Sequence, residues 1–229
     1  MRSRFERTIY LDSDMFVIAP IPDVFDVLER FDIALIHDQR LNVDSHTLML
    51  HTKPIPPAFP QYNGGFVGIR KSETTSTFLC HWQEEFDASH LKIDQPVLRE
   101  LLFDSELRIA TIPLQYNVLD VDLIRALDSR TMAPRVIHSS RIHLKRTKSG
   151  KLIQSFEDLV GLDFEKHLSE WQLRDETLNA NRPVTRTEAY CDKFPRTLVH
   201  PDAVAFAGKT GQGRIQDALQ RIGSFRKED

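Results

Sequence analysis

Short apolar runs alternate with amphipathic segments along the first two thirds of the chain. Runs with the length and apolar or β-branched character of buried strands occupy residues 8–11, 32–38, 66–72, 106–114 and 134–140. Apolar side chains recur at helical spacing in residues 22–31, 72–86 and 93–103. Strands and helices that alternate in this way predict an α/β protein, with a sheet that is expected to be mixed.

The pattern changes near residue 150. Helical periodicity marks residues 156–173 and 213–225, and a polar, proline-containing segment joins them. We therefore predict two domains: an α/β domain over residues 1–148 and a mainly helical extension over residues 149–229. The second helix carries an apolar stripe that we expect to dock on the sheet domain.

Acidic side chains follow two of the predicted strands. Asp12 and Asp14 come directly after the strand that ends at Leu11, and Asp38 ends the next one. The spacing i, i+2 turns Asp12 and Asp14 to the same face of an extended backbone. Carboxylates are costly to bury unless they are paired, hydrogen-bonded or bound to a metal. The first pair therefore indicates a polar or metal-binding site where the strand ends.

Composition and charge exclude several classes of protein. The 229 residues are 41% hydrophobic and 28% charged, as is ordinary for a globular protein, and the net charge of -3 gives no general attraction to nucleic acid. No apolar stretch approaches the roughly 20 residues of a membrane span. Cys80 and Cys191 show neither a disulfide framework nor metal-type spacing. We predict no nucleic-acid partner, no integral membrane segment and a cytoplasmic location.

Four motifs, taken in chain order, resemble those of GT-A-fold glycosyltransferases. They are YLDSDMFV from residue 10, QYNGGFVGIRKS from residue 61, IDQPVLREL from residue 93 and VIHSS from residue 136. The chain is similar here to the nucleotide-diphospho-sugar transferases, in particular to those of the family-8 type. The resemblance covers roughly residues 7–145. It implies that residues 1–148 form the C-terminal catalytic half of a GT-A-like domain.

The resemblance implies a metal site and a cofactor. Carried over position by position, Asp12, Asp14 and His138 correspond to the family's ligands for a divalent cation, Mn²⁺ or Mg²⁺, on the donor's diphosphate. Oxygen ligands suit such hard cations, and one imidazole favours a transition metal. Lys145 stands in a basic segment after His138, with Arg141 and Arg146, and we expect it to neutralise the substrate's phosphate groups. The sequence departs from the family here, because SSRIHLKR replaces the family's glycine and Lys-Pro-Trp pattern.

The resemblance also implies a sugar-binding site. Asn63, Gly64 and Gly65 correspond to the family's segment beside the donor sugar. Asp94 corresponds to an acid that binds sugar hydroxyls, and Gln95 to an amide near the anomeric carbon. A carboxylate or an amide dipole at this position suits the positive charge that develops on the sugar.

Each of these residues also has a plainer explanation. Asp94 is well placed to be only the N-cap of the helix that follows it. Asn63 and Gly64 are typical of a hairpin turn. His138 on its own suggests a structural histidine at a strand end, and the basic segment from Leu144 suggests a solvated loop. The order of the motifs, each at a strand end or a helix start, favours a ligand site.

The implied activity is metal-dependent transfer of a sugar from a nucleotide-sugar, UDP-linked in our interpretation, to a hydroxyl acceptor. Met1 stands only eleven residues before Asp12, whereas the family's proteins carry βα units there that hold the nucleotide. We therefore expect a chain that lacks its N-terminal βα units and whose activity is impaired. An exposed sheet edge would then permit self-association.

Two alternatives remain beside the transferase. One is a non-catalytic remnant that keeps the motifs and acts as an interaction protein. The other is a haloacid-dehalogenase-like phosphatase, in which Asp12 would be the nucleophile and Asp14 the acid/base. That family's pattern has a small residue and a threonine soon after the second acid, whereas Met15 and Phe16 follow here. The sequence therefore favours the transferase.

Overall fold

The structure is a computed structural model that describes residues 3–40, 43, 49–119, 132–144 and 150–179. The strands are β1 (Arg7–Leu11), β2 (Met15–Val17), β3 (Ile33–His37), β4 (Tyr62–Arg70), β5 (Ile109–Thr111) and β6 (Val136–His138). The helices are α1 (Asp23–Val27), α2 (Glu73–Ala88), α3 (Gln95–Asp104), α4 (Arg141–Leu144), α5 (Phe156–Val160) and α6 (Leu162–Asn179). A 3₁₀ turn spans Leu114–Tyr116.

The main sheet has four strands in the order β1-β4-β3-β5. Strand β4 runs antiparallel to β1 and to β3, whereas β3 and β5 are parallel. The predicted α/β fold with a mixed sheet is therefore confirmed. Strands β2 and β6 form a separate antiparallel pair. Within the described residues, β1 and β5 are the edges of the main sheet; self-association through such an edge stays a prediction.

The chain divides into two compact units. One comprises residues 1–12 and 23–114, and the other residues 13–22 and 115–229. The first unit contains the four-stranded sheet with α2 and α3, and its core is built from side chains such as Leu35, Val67 and Leu98. The second contains β2, β6 and α4 to α6, with Phe156, Phe164 and other apolar side chains buried together. The predicted boundary after residue 148 is a different division and stays a prediction.

Within the described residues, helices form in the segments whose apolar periodicity predicts them. Helix α2 begins with a reciprocal capping box, in which the Ser72 side chain accepts from the Thr75 backbone and the Thr75 side chain accepts from the Ser72 backbone. Helix α1 ends at Val27, earlier than the pattern predicts, and Phe31 is 37% exposed rather than buried. In the described part of the chain, no helix combines the length and the apolar character needed to cross a membrane. The predicted helix at 213–225 lies outside the described residues.

Asp32 joins three strands of the main sheet. It immediately precedes β3, and its carboxylate accepts hydrogen bonds from Arg70 at the end of β4 and from Arg108 just before β5. The hydrogen bond from the Arg108 side chain is the main cause that lowers the pKa of Asp32 from 3.8 to about 2. The carboxylate thus stabilises the sheet in its ionised form.

Asp32→Asn is expected to lower the free energy of unfolding by about 1–2 kcal/mol near neutral pH, since solvent around the exposed Arg108 screens part of the pKa shift. A depressed carboxyl pKa stabilises the folded chain above the unfolded value of 3.8, and this stabilisation disappears as the pH falls to about 2. Urea unfolding of both chains across this window measures the difference. A difference that stays constant down to about pH 2 contradicts the assignment.

Candidate functional site

Asp14 and His138 form a buried pair, although they are 124 positions apart in the chain. Asp14 directly precedes β2, and the pairing of β2 with β6 sets Met15 opposite His138. The Ser139 backbone N–H donates to the Asp14 carbonyl at 3.0 Å, which continues that pairing. His138 Nε2 consequently lies 3.1 Å from Asp14 Oδ1, and each residue is only 9% exposed.

Asn117 fixes the orientation of the His138 ring. Its Oδ1 lies 3.0 Å from His138 Nδ1, and the Asn117 side chain is 1% exposed. The hydrogen bond from the His138 backbone N–H to the Val118 carbonyl holds the two residues side by side. An amide oxygen accepts, so Nδ1 carries the proton and Nε2 is the nitrogen available on the Asp14 side. This is the arrangement by which metal-binding histidines are oriented in proteins.

Asp12 completes a cluster of three candidate ligands. One oxygen each of Asp12 and Asp14 and one ring nitrogen of His138 all lie within 4.8 Å of one another. A single residue separates the two acids, which keeps their Cα atoms within about 7 Å. The Tyr10 hydroxyl donates to Asp12 Oδ1 at 2.6 Å. Two carboxylates and one neutral imidazole form a donor set that fits Mn²⁺ or a similar divalent cation.

The Asn63-Gly64-Gly65 segment runs beside the first acid. The Asp12 backbone N–H donates to the Gly65 carbonyl at 2.9 Å, which extends the β1–β4 pairing by one residue. The interpretation of Asn63 and Gly64 as a hairpin turn is wrong, and the strand expected over residues 66–72 begins four residues earlier. Both residues lie in β4, which begins at Tyr62 because that residue already pairs with His37 of β3.

Asp94 faces Gly64. A Cβ atom at Gly64 would lie 3.5 Å from Asp94 Oδ1. Because Gly64 has no side chain, no side-chain atom at this position covers that face of the carboxylate. Asp94 occupies the N-cap position of α3, yet its side chain makes no cap hydrogen bond, and capping therefore does not explain the carboxylate. Burial raises the pKa of Asp94, and the charge of Asp12 raises it further. The structure thus brings Asp12, Gly64 and Asp94 together.

Asn63 is held from both ends of its side chain. Its Nδ2 donates to Asp38 Oδ2 at 3.3 Å, and its Oδ1 accepts from the Gly65 backbone N–H at 3.0 Å. Asp38 also accepts from the Arg40 backbone N–H at 2.8 Å. Asn63 and Asp38 are buried. These contacts shape the backbone around Gly64, so a direct contact of Asn63 with a ligand stays a prediction.

The sequence assigns no role to two further side chains that lie near these residues. Gln61, 3% exposed, donates from Nε2 to Gln95 Oε1 at 3.2 Å. His143 lies beside the metal cluster, with Nε2 3.8 Å from Asp14 Oδ2 and 3.5 Å from Ser13 Oγ. Gln61 is the first residue of the QYNGGFVGIRKS motif, but the motif assigns it no role, and His143 stands in no motif. The folded chain brings each of them to the site. Lys145 lies outside the described residues, and its contact with phosphate stays a prediction.

The segment that contains the four motifs also matches a known protein family. The chain matches the model of the nucleotide-diphospho-sugar transferase family over residues 7–148. No curated protein matches it.

Comparison with solved structures finds glycosyltransferases of low sequence identity. The galactosyltransferase LgtC in complex with donor and acceptor sugar analogues is 14% identical, with a TM-score of 0.47 over 75% of this chain and 66% of that one. The bifunctional glycosyltransferase WbbM is 15% identical, with a TM-score of 0.44 over 77% of this chain and 35% of that one. The glycosyltransferase GlyE of Streptococcus pneumoniae TIGR4 is 16% identical, with a TM-score of 0.40 over 76% of this chain and 44% of that one. The chain spans slightly less than two thirds of LgtC and smaller shares of the other two.

Proposed function

The chain belongs to the nucleotide-diphospho-sugar transferase family, and we propose that it transfers a sugar from a UDP-linked nucleotide-sugar to a hydroxyl acceptor. The observation that carries this proposal is the cluster of Asp12, Asp14 and His138, whose ligand atoms lie within 4.8 Å of one another. The family match supports the reaction class, and the cluster supports a divalent cation on the donor's diphosphate.

Asp12, Asp14 and His138 would hold the cation. A bound divalent cation neutralises the negative charge that develops on the leaving diphosphate. Asn117 contributes by holding His138 Nδ1 at 3.0 Å, so that Nε2 is presented toward Asp14. The imidazole favours Mn²⁺ over Mg²⁺, since Mg²⁺ prefers an all-oxygen environment.

Asp94 and Gln95 would act on the sugar. Because Gly64 has no side chain, the Asp94 carboxylate stays accessible from β4 and can accept hydrogen bonds from sugar hydroxyls. In its ionised form the carboxylate also stabilises positive charge on the sugar ring. Gln95, the first residue of α3, follows directly and places an amide dipole beside that carboxylate.

Product analysis tests the proposed function. The chain is incubated with Mn²⁺, a set of UDP-sugars and hydroxyl acceptors, and the glycosylated acceptor is detected by mass spectrometry together with released UDP. We expect a product that disappears when the metal is chelated and returns with added Mn²⁺. Phosphate release from an aryl phosphate without any sugar donor would instead support the phosphatase alternative. Absence of both reactions would support the interaction protein.

Asn117→Ala is expected to weaken Mn²⁺ binding by about 10–100-fold, because the His138 ring loses the partner that fixes its orientation. The free Mn²⁺ concentration, followed by electron paramagnetic resonance during a titration, measures the affinity. Ser140→Ala, at an exposed position close to His138 in the chain, is the matched control and should bind like the parent. An unchanged affinity in a folded Asn117→Ala chain would show that the ring needs no such support.

A further inference from the structure

We infer that Gln61 is a positioning residue, which determines the orientation of the Gln95 carboxamide. The inference rests on the proposed transferase function, in which Gln95 lies beside the donor sugar. Gln61 itself would not touch the sugar, since its side chain is 3% exposed. It would act through the hydrogen bond from its Nε2 to Gln95 Oε1, which is 3.2 Å long.

The backbone around Gln61 is fixed by its neighbours. The Asp38 backbone N–H donates to the Gln61 carbonyl at 2.8 Å, and Tyr62, the next residue, begins β4 and pairs with His37. A buried side-chain amide needs a hydrogen-bond partner, and Gln95 provides it. Gln61 is therefore a hydrogen-bond donor whose position is fixed, and its acceptor, Gln95, is the first residue of α3.

A carboxamide cannot orient itself by shape. Its oxygen and its NH₂ group have nearly the same size, and a half-turn of the terminal torsion exchanges an acceptor for two donors. The hydrogen-bond partner alone decides which end points where. By donating to Oε1, Gln61 selects one of the two orientations of Gln95. The opposite orientation would present the reversed dipole to positive charge on the sugar.

Gln61→Glu tests the selection. An ionised carboxylate only accepts, so it would turn the Gln95 NH₂ group toward itself and reverse the carboxamide. A protonated carboxyl donates again and restores the original orientation. We expect the kcat of the variant, relative to the parent, to be about 10-fold lower at pH 8 and to recover as the pH falls toward 5. Asp94 is present in both chains, so the ratio cancels its contribution. KM for the donor should change less than kcat.

A second readout does not depend on turnover. The ¹⁵N signal of the Gln95 side-chain amide, identified by its loss in Gln95→Glu, should titrate with the introduced carboxyl in Gln61→Glu and should show no such step in the parent. Gln61→Met, which is uncharged and of similar size, should shift this signal at every pH and lower kcat without the recovery. It serves as the second variant if Gln61→Glu does not fold.

Each outcome decides one of two questions. A Gln95 signal that titrates in Gln61→Glu, while the parent chain transfers no sugar, would support the positioning role and reject the transferase function. Transfer by the parent, combined with a variant whose kcat is normal at high pH and falls on acidification, would show the opposite orientation of the two amides and overturn the inference. A Gln95 signal that neither variant moves would overturn it as well.

Discussion

Asp14→Ala is expected to lower the rate of sugar transfer by about 10³-fold, which corresponds to the several kcal/mol that a bound cation contributes to stabilising a charged leaving group. Asp14 is buried, and its carboxylate lies 3.1 Å from the imidazole that completes the cluster. Without it, His138 faces an empty space and the remaining two donors are too few to retain the cation. The measurement is the initial rate of UDP release and product formation with saturating Mn²⁺.

A matched variant separates this effect from general damage. Glu84→Ala removes an acid from an exposed position of α2 and should leave the rate unchanged. The Asp14→Ala chain should still unfold cooperatively on heating, since Asp14 stands in a turn at the edge of the β2–β6 pair. A rate within about threefold of the parent, instead of the expected loss of about 10³-fold, would mean that this carboxylate holds no catalytic cation.

Asp94→Asn is expected to lower kcat by about 10²-fold, as is typical when one preorganised electrostatic contact with a developing charge is removed. Asparagine keeps the size of the side chain facing Gly64 and removes only the charge. The buried position raises the pKa of Asp94 above the ordinary value of 3.8. Because the proposed role of Asp94 requires its ionised form, the parent should lose activity as the pH falls through this raised pKa.

The pH profile of the variant provides the control for Asp94. The Asn side chain does not titrate, so its low activity should lack the acidic decline that Asp94 produces in the parent. Rates measured across the acidic range under saturating donor and Mn²⁺ show whether the decline is present. A decline of the same shape in both chains would assign it to another group and would remove Asp94 from the reaction.

The sequence predicts the main sheet well because its strands are short apolar runs with distinct ends. Strands β1, β3 and β4 and helices α2 and α3 form where the period of apolar residues indicates them. Strand β2 is different: Met15–Val17 has only three residues, which is too short for a periodicity to show. Its pairing with β6 is nevertheless what brings Asp14 to His138.

The candidate site is predictable only as far as its residues stand in ordered motifs. Motif order and strand ends indicate Asp12, Asp14 and His138, and the structure brings their ligand atoms together. No local pattern indicates the contacts of Asn117 and Gln61, since their partners are 21 and 34 residues away, respectively, and only the fold brings them near. At Asn63 and Gly64 the local pattern is misleading. The two residues are typical of a hairpin turn, but they lie in β4, which pairs with β1 and β3.

The most direct measurement of the central claim is electron spin echo envelope modulation of Mn²⁺ bound with UDP to a chain whose histidines carry ¹⁵N. The account predicts coupling to one directly bound imidazole nitrogen, lost in His138→Gln and retained in His143→Gln, whose ring lies 3.8 Å from Asp14 without belonging to the cluster. Coupling that survives in His138→Gln, or a parent chain without any nitrogen coupling, would contradict it.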